Sequence, residues 1–181
     1  MDYVVTGTAT GGGVDYTLAD ATATISAGAT TTTIPVIVVN DALYENNETI
    51  IVTGRSPSNA TLGSDDVHTY TITNVSGNDD EPTIDFNATA ASYAEGSGTP
   101  TVTVDLSAAS GLSSSINYTV AAGSPAATGS GTDYTVADGT ATIAAGQTST
   151  TITLNIVQDA LDEADEKFVI TMGSTVSNVT K

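Results

Sequence analysis

Apolar and polar residues alternate in short runs along the chain, and Gly, Asp and Ser separate the runs. Ile152, Leu154 and Ile156 fall on one side of such a run, with Thr151, Thr153 and Asn155 on the other. This is the period-two signature of a half-buried strand. Val102, Val104 and Leu106 repeat the pattern, as do Tyr70 and Ile72 against Thr69, Thr71 and Thr73. Phe168, Ile170 and Met172 are spaced to line another inner face. Pro35 lies inside a comparable run, so its missing N–H is expected to face outward, at an edge or a bulge. No stretch keeps helical spacing. Short strands between Gly and Asp turns predict an all-β, antiparallel sandwich.

The pattern occurs twice. Gly11-Gly-Gly-Val-Asp-Tyr-Thr-Leu-Ala-Asp20 reappears as Gly129-Ser-Gly-Thr-Asp-Tyr-Thr-Val-Ala-Asp138, and the register then holds without a gap. Ala23-Thr-Ile25 matches Ala141-Thr-Ile143, Thr33-Ile34 matches Thr151-Ile152, and Asp41-Ala-Leu43 matches Asp159-Ala-Leu161. Such self-similarity marks a repeat architecture. The polar stretch Gly77-Asn-Asp-Asp-Glu-Pro82 is the natural boundary. The expected organisation is a module at 1–78, an acidic linker at 79–82 and a second module at 83–181. The first copy lacks the opening strand expected around residues 91–106, and the second lacks a counterpart of residues 68–73. Both modules are therefore expected to be incomplete, as a segment cut from a longer array.

Composition narrows the chemistry. With no Trp and only two Phe, the core must come from Val, Ile, Leu, Ala and Tyr. The net charge is −18, from 21 acids against Arg55, Lys167 and Lys181. Such a surface repels phosphate backbones and anionic lipid, which argues against nucleic acid and direct membrane insertion. No apolar run approaches the roughly 20 residues that span a bilayer. The start of the chain has no signal-peptide pattern, so any export signal is expected outside it. Absence of Cys removes disulfide and thiolate chemistry.

The acids are crowded into residues 41–48, 79–81 and 159–166, while the Thr-rich strands are nearly uncharged. Asp159-Ala-Leu-Asp-Glu163-Ala-Asp-Glu166 follows one strand and precedes another, which places it in a loop at one end of the sandwich. Its partner, Asp41-Ala-Leu-Tyr-Glu45-Asn-Asn-Glu48, keeps an Asp, a Glu and a Glu at the same spacing. Calcium takes 6–8 oxygen ligands in tolerant geometry, and alternating carboxylates with a carbonyl between them suit it. Magnesium asks for fewer protein ligands in a stricter octahedron, and zinc for His or Cys. The plain alternative is a solvated acidic turn with no metal.

The combined pattern Gly-x-Asp-Tyr, then Ala-x-Ile with a further Gly, then Asp-x-Leu-x-Glu-x-x-Glu, resembles the Calx-beta domain in two phased copies. That family includes the calcium-sensing domains of sodium/calcium exchangers and repeats of large bacterial surface proteins. The resemblance implies tandem immunoglobulin-like β-sandwiches of Calx-beta type with Ca2+ at one end. It implies ligands at Asp15, Asp41, Glu45 and Glu48 in the first copy, and at Asp133, Asp159, Glu163 and Glu166 in the second. It further implies backbone carbonyls at Leu43 and Leu161, the Glu of the opening strand at Glu95, and closing acids at Asp79 and Asp80. Asn40 and Gln158 stand where the family's strongest sites carry a further Asp, which implies fewer ions or weaker binding.

The function expected is a calcium-binding structural or adhesive repeat of a large secreted or cell-surface protein, with calcium rigidifying modules and linkers. Its partners are neighbouring repeats of the same parent chain and a protein or glycan adhesion partner. The alternatives are a calcium-sensing regulatory module and a non-catalytic accessory domain of a secreted enzyme. A glycosidase pair at Glu163 and Glu166 is disfavoured, because the loop is duplicated and no Trp offers a sugar platform. The chain is therefore not expected to be an enzyme.

Overall fold

The computed structural model describes residues 1–129 and 131–181. The chain divides into two compact units, Met1–Ala42 with Asn46–Asp79, and Asp80–Lys181 with Leu43–Glu45. Its regular elements among the described residues are all strands.

In the first unit, β1 (Asp2–Gly7), β2 (Tyr16–Thr17), β3 (Ala21–Thr22), β4 (Ile37–Val38), β5 (Glu48–Arg55) and β6 (Val67–Ile72) form two sheets. The larger has the order β3-β1-β5-β6 and the smaller pairs β2 with β4. All pairings are antiparallel, with Tyr3 opposite Gly54 and Tyr16 opposite Val38. Period-two alternation on β5 buries Ile50 and Val52, and these join Tyr3 and Tyr16 as the unit's core.

The second unit repeats this plan and extends it. Its strands are β7 (Ile84–Phe86), β8 (Thr101–Leu106), β9 (Ser114–Ala122), β10 (Gly139–Ile143), β11 (Ser149–Thr153) and β12 (Phe168–Ser177). The sheet β10-β9-β12 corresponds to β3-β1-β5, and the bridge Tyr134–Ile156 corresponds to Tyr16–Val38. A further sheet, β11-β8-β7, faces it. Ile84, Val104, Leu106, Ile152 and Leu154 from that side meet Ile116, Ala141, Ile143 and Met172 in one apolar cluster, so this unit is a sandwich with both faces filled. The Phe168 ring stacks on Tyr134 with centroids 4.3 Å apart.

Three expectations need correction. The segment holding Pro35 is in no strand, because no strand of the first unit lies where β8 pairs β11 in the second. Tyr70 is not inward: it is 40% exposed and meets His68 edge-on at 4.4 Å, since β6 is the outer strand of its sheet. The opening strand expected around residues 91–106 is laddered only from Thr101. Gly96 and Gly98 turn the chain there with φ of +72° and +73°, a conformation that favours glycine. The three-residue β7, which the sequence reading missed, supplies the other pairing through Ile84 opposite Leu106.

Candidate metal centre

Each repeat sets an aspartate into a glycine turn by the same set of hydrogen bonds. The Thr10 N–H donates to the Asp15 carboxylate at 2.5 Å, and the Asp15 N–H donates to the Thr10 carbonyl at 3.0 Å. In the second copy the Thr128 N–H donates to the Asp133 carboxylate at 2.5 Å, and the Asp133 N–H donates to the Thr128 carbonyl at 3.0 Å. The Val39 and Val157 N–H groups, each just past the segment that pairs with the following tyrosine, donate to the two aspartate carbonyls at 2.8 and 2.9 Å. Gly11 and Gly129 let the turn pack closely on the tyrosine, because a Cβ at either would lie 3.2 or 3.1 Å from the ring end of Tyr16 or Tyr134. The carboxylate is thus oriented by backbone, and in the first copy Asp15 as a residue is only 8% exposed.

The acidic loop brings its own carboxylates to that aspartate. In the first copy, Asp15, Glu45 and Glu48 each place an oxygen within 4.8 Å of the others. Glu48 is the first residue of β5 and Glu45 lies just ahead of it, so the start of that strand aims the loop. In the second copy, the Asp133 side chain lies close enough to Glu166 to act on it by hydrogen bonding. That influence, then burial, then the charges of Asp133, Glu163 and Glu95 raise the Glu166 carboxyl above the ordinary 4.5. Glu163 is raised first by partial loss of hydration and then by the charges of Asp159, Asp133 and Glu95. Both glutamates are exposed overall, so the crowding of negative charge is the sturdier cause.

The remaining candidates are placed less centrally. Asp41 is exposed, and its carbonyl accepts the Asn78 side-chain amide. Asp79 is buried and accepts the Val75 N–H at 2.6 Å, closing a turn in which the Asn78 N–H reaches the Val75 carbonyl at 3.0 Å. Asp80 is exposed and Leu43 half-buried. Asp41, Asp79 and Asp80 are outside the three-carboxylate group. Leu161 is 68% exposed and donates its N–H to Asp159 at 2.7 Å, an Asx turn. Glu95 is not on a strand as expected, but the Gly96 beside it packs so closely on Gln158 that a Cβ there would strike the Gln158 amide. This contact carries Glu95 to the acidic loop. Neither Asn78 nor Gln158, which stands where a further Asp would be expected, has a periodic or charge signal in the sequence that would reveal its contact.

The donor set fits a hard divalent cation. Oxygens bound to one calcium at about 2.3–2.6 Å cannot lie more than about 5 Å apart, and the Asp15 group meets that limit. His68, the only histidine, is on β6 and outside the group, so the donors are all oxygen. Without a cation, neighbouring carboxylates repel, and in the second copy that charge adds to the loss of hydration that raises Glu163 and to the hydrogen-bonding influence of Asp133 that raises Glu166.

The comparisons with known proteins agree with this architecture. The family model described as Calx-beta domain matches residues 3–75 and again 77–180. Among solved structures the chain is similar to CBD12 from CALX1.2, at 19% identity and a TM-score of 0.45, covering 95% of this chain and 66% of that one. It is also similar to the calcium binding domain CBD12 of CALX1.1, at 18% identity and a TM-score of 0.42, covering 76% of this chain and 50% of that one. The chain thus spans between half and two thirds of those chains. No curated protein sequence matches it. Two family matches, in register with the two repeats and together covering nearly every residue, establish that the chain belongs to the Calx-beta domain family.

Proposed function

We propose that this chain is a calcium-binding structural repeat, with no catalytic role, in which bound Ca2+ stiffens each module. One observation carries the reading. In both copies the aspartate of the glycine turn and the last glutamate of the acidic loop converge, Asp15 with Glu48 and Asp133 with Glu166. Like charges held together by two independent copies of one backbone frame make sense when a cation offsets them. The similar CALX1.1 structure is described as a calcium binding domain, which supports the choice of ion. The setting we propose is a large secreted or cell-surface protein, with neighbouring repeats and a protein or glycan as adhesion partner. The duplicated site and the high negative charge support a spacer over a single switch.

Calorimetric titration with CaCl2, alongside melting in chelator and in calcium at constant ionic strength, tests the proposal. A ligand that binds only the folded state adds about 2.7 kcal/mol at a hundredfold excess over Kd. Heat of binding and a rise in Tm with calcium, and much less with magnesium, are the expected results. Superimposable melting curves and no heat would refute the metal reading.

A further inference from the structure

We infer that Asn59 is an acceptor site for an N-linked glycan, and that the fold singles it out from the chain's other acceptor triplets. The inference needs only the exported setting proposed above, and it is independent of the metal reading.

Asn-x-Ser/Thr triplets begin at Asn47, Asn59, Asn74, Asn87, Asn117 and Asn178. A transferase must draw the triplet away from the fold and hold both its amide and its hydroxyl, so the motif serves only in an exposed segment. Five of the six fail that condition. The Asn87 amide donates to Asp105 at 2.6 Å, and the Asn178 amide donates to the Ser113 carbonyl at 2.8 Å. Asn117 is half-buried on β9, and its side-chain oxygen accepts the Thr175 N–H at 3.0 Å. Asn74 is half-buried and has a partner of its own. Asn47 is exposed, but its Thr49 is laddered in β5 opposite Thr71, and the Thr49 hydroxyl accepts the Thr8 N–H at 3.3 Å.

Asn59 differs in each respect. It stands in the loop between β5 and β6, which the Gly54 N–H closes at its base by donating to the Asp66 carbonyl at 2.7 Å. Asn59, Ala60 and Thr61 are all exposed, and among the described residues no hydrogen bond engages the Asn59 or Thr61 side chain. Asn59 has a φ of +58°, a left-handed conformation that Asn adopts more readily than most residues. No proline lies inside the triplet, as the motif demands.

Transfer joins Asn59 Nδ2 to the anomeric carbon of a sugar carried on a lipid pyrophosphate. The bond from that carbon to the pyrophosphate oxygen breaks, its electron pair leaves with the pyrophosphate, and Nδ2 gives up one proton to a base on the transferase. The glycan would stand clear of the acidic loop. Glu48 begins β5 and the loop follows its end, and eight residues at about 3.3 Å each separate the two by roughly 23 Å.

The test incubates the full folded chain with a purified oligosaccharyltransferase and lipid-pyrophosphate-linked chitobiose, and reads occupancy by peptide mass mapping. Synthetic peptides spanning the six triplets are the unfolded control. The folded chain should gain one glycan, at Asn59. Freeing an engaged amide or hydroxyl forfeits its hydrogen bond, so occupancy at the other sites should be at least about tenfold lower. The Asn87 and Asn117 peptides should accept the sugar freely. Thr61→Ala should remove the modification and Thr61→Ser retain it, both with an unchanged Tm, because Thr61 is exposed. An unmodified Asn59 in the folded chain, equal occupancy there at Asn87 or Asn117, or modification that survives Thr61→Ala would overturn the proposal. So would poor transfer to the Asn87 and Asn117 peptides, which would place the selection in sequence rather than fold. Calcium titration of the glycosylated chain should match that of the parent, so absence of calcium binding in both would strike the metal reading and leave this one standing.

Discussion

The Asp133 carboxylate accepts the Thr128 N–H at 2.5 Å, and the same side chain is the foremost influence that raises the Glu166 carboxyl. One side chain therefore closes a local turn and faces the acidic loop. Asp15 stands in the same position, bonded to Thr10 and grouped with Glu45 and Glu48. This double duty lets turn chemistry and metal chemistry be separated by the choice of substitution.

Asp15→Asn keeps an oxygen acceptor for the Thr10 N–H and removes the charge. We expect a metal-free fold close to the parent and a loss of calcium binding in the first module. Asp15→Ala leaves the buried turn unsatisfied and should cost about 1–3 kcal/mol even in chelator. Denaturant melts of both variants, with and without calcium, check this. Equal destabilisation by the two would mean that charge rather than hydrogen bonding holds the turn.

Glu45→Gln and Glu163→Gln retain size while losing charge and bidentate coordination. Each should remove calcium binding from its own module only, read as a fall in calorimetric stoichiometry. Asp162→Asn, at the position of Tyr44, should change little, because Asp162 is not among the acids that raise Glu163 or Glu166. A loss from Asp162→Asn as large as that from Glu163→Gln would show the loop to be used differently.

The raised Glu163 and Glu166 carboxyls set a pH dependence. Their folded values lie above the ordinary 4.5, so between 4.5 and the raised values the folded state binds more protons than the unfolded one. Their contribution to metal-free stability is therefore full below pH 4.5 and lost as pH rises through the folded values. A Glu163→Gln, Glu166→Gln double variant should lose this dependence, so the wild-type-minus-variant stability difference should decline with rising pH in chelator. Saturating calcium should reverse that decline above the window. A flat difference in chelator would contradict the crowding of charge at this site.

Truncation at matched core positions should give opposite results in the two units. Ile143→Ala empties a closed cluster and is expected to cost about 2–5 kcal/mol. Ile25→Ala, at the equivalent position, trims a side chain already 54% exposed and should cost well under 1 kcal/mol. Chemical melts of the two variants make the comparison. A large loss from Ile25→Ala would mean that its apolar face is covered in solution.

Several features were legible in the residues because they are local and periodic. Alternation placed Ile152 and Leu154 inward, the doubled Gly-x-Asp-Tyr pattern revealed the repeat, and the spacing of Asp41, Glu45 and Glu48 announced an acidic loop. Tyr70 and Pro35 misled for one reason: alternation says which residues share a face, but not whether a neighbouring strand covers it. The three-residue β7 was missed because three residues are too few for a period to show.

The sequence by itself determined the all-β class, the twofold repeat and the oxygen-only chemistry of its acids, since these follow from residue type and spacing along the chain. Only the tertiary structure decided which carboxylates meet. It grouped Asp15 with Glu45 and Glu48, tied Asp133 to Glu166, and used Asp79 to close a turn outside the three-carboxylate group. It also left Ile25 exposed where Ile143 is buried. The physical reason is that convergence and cover depend on strand pairing between distant segments. Pairing is set by which edges find partners, and two nearly identical stretches of sequence need not find the same ones.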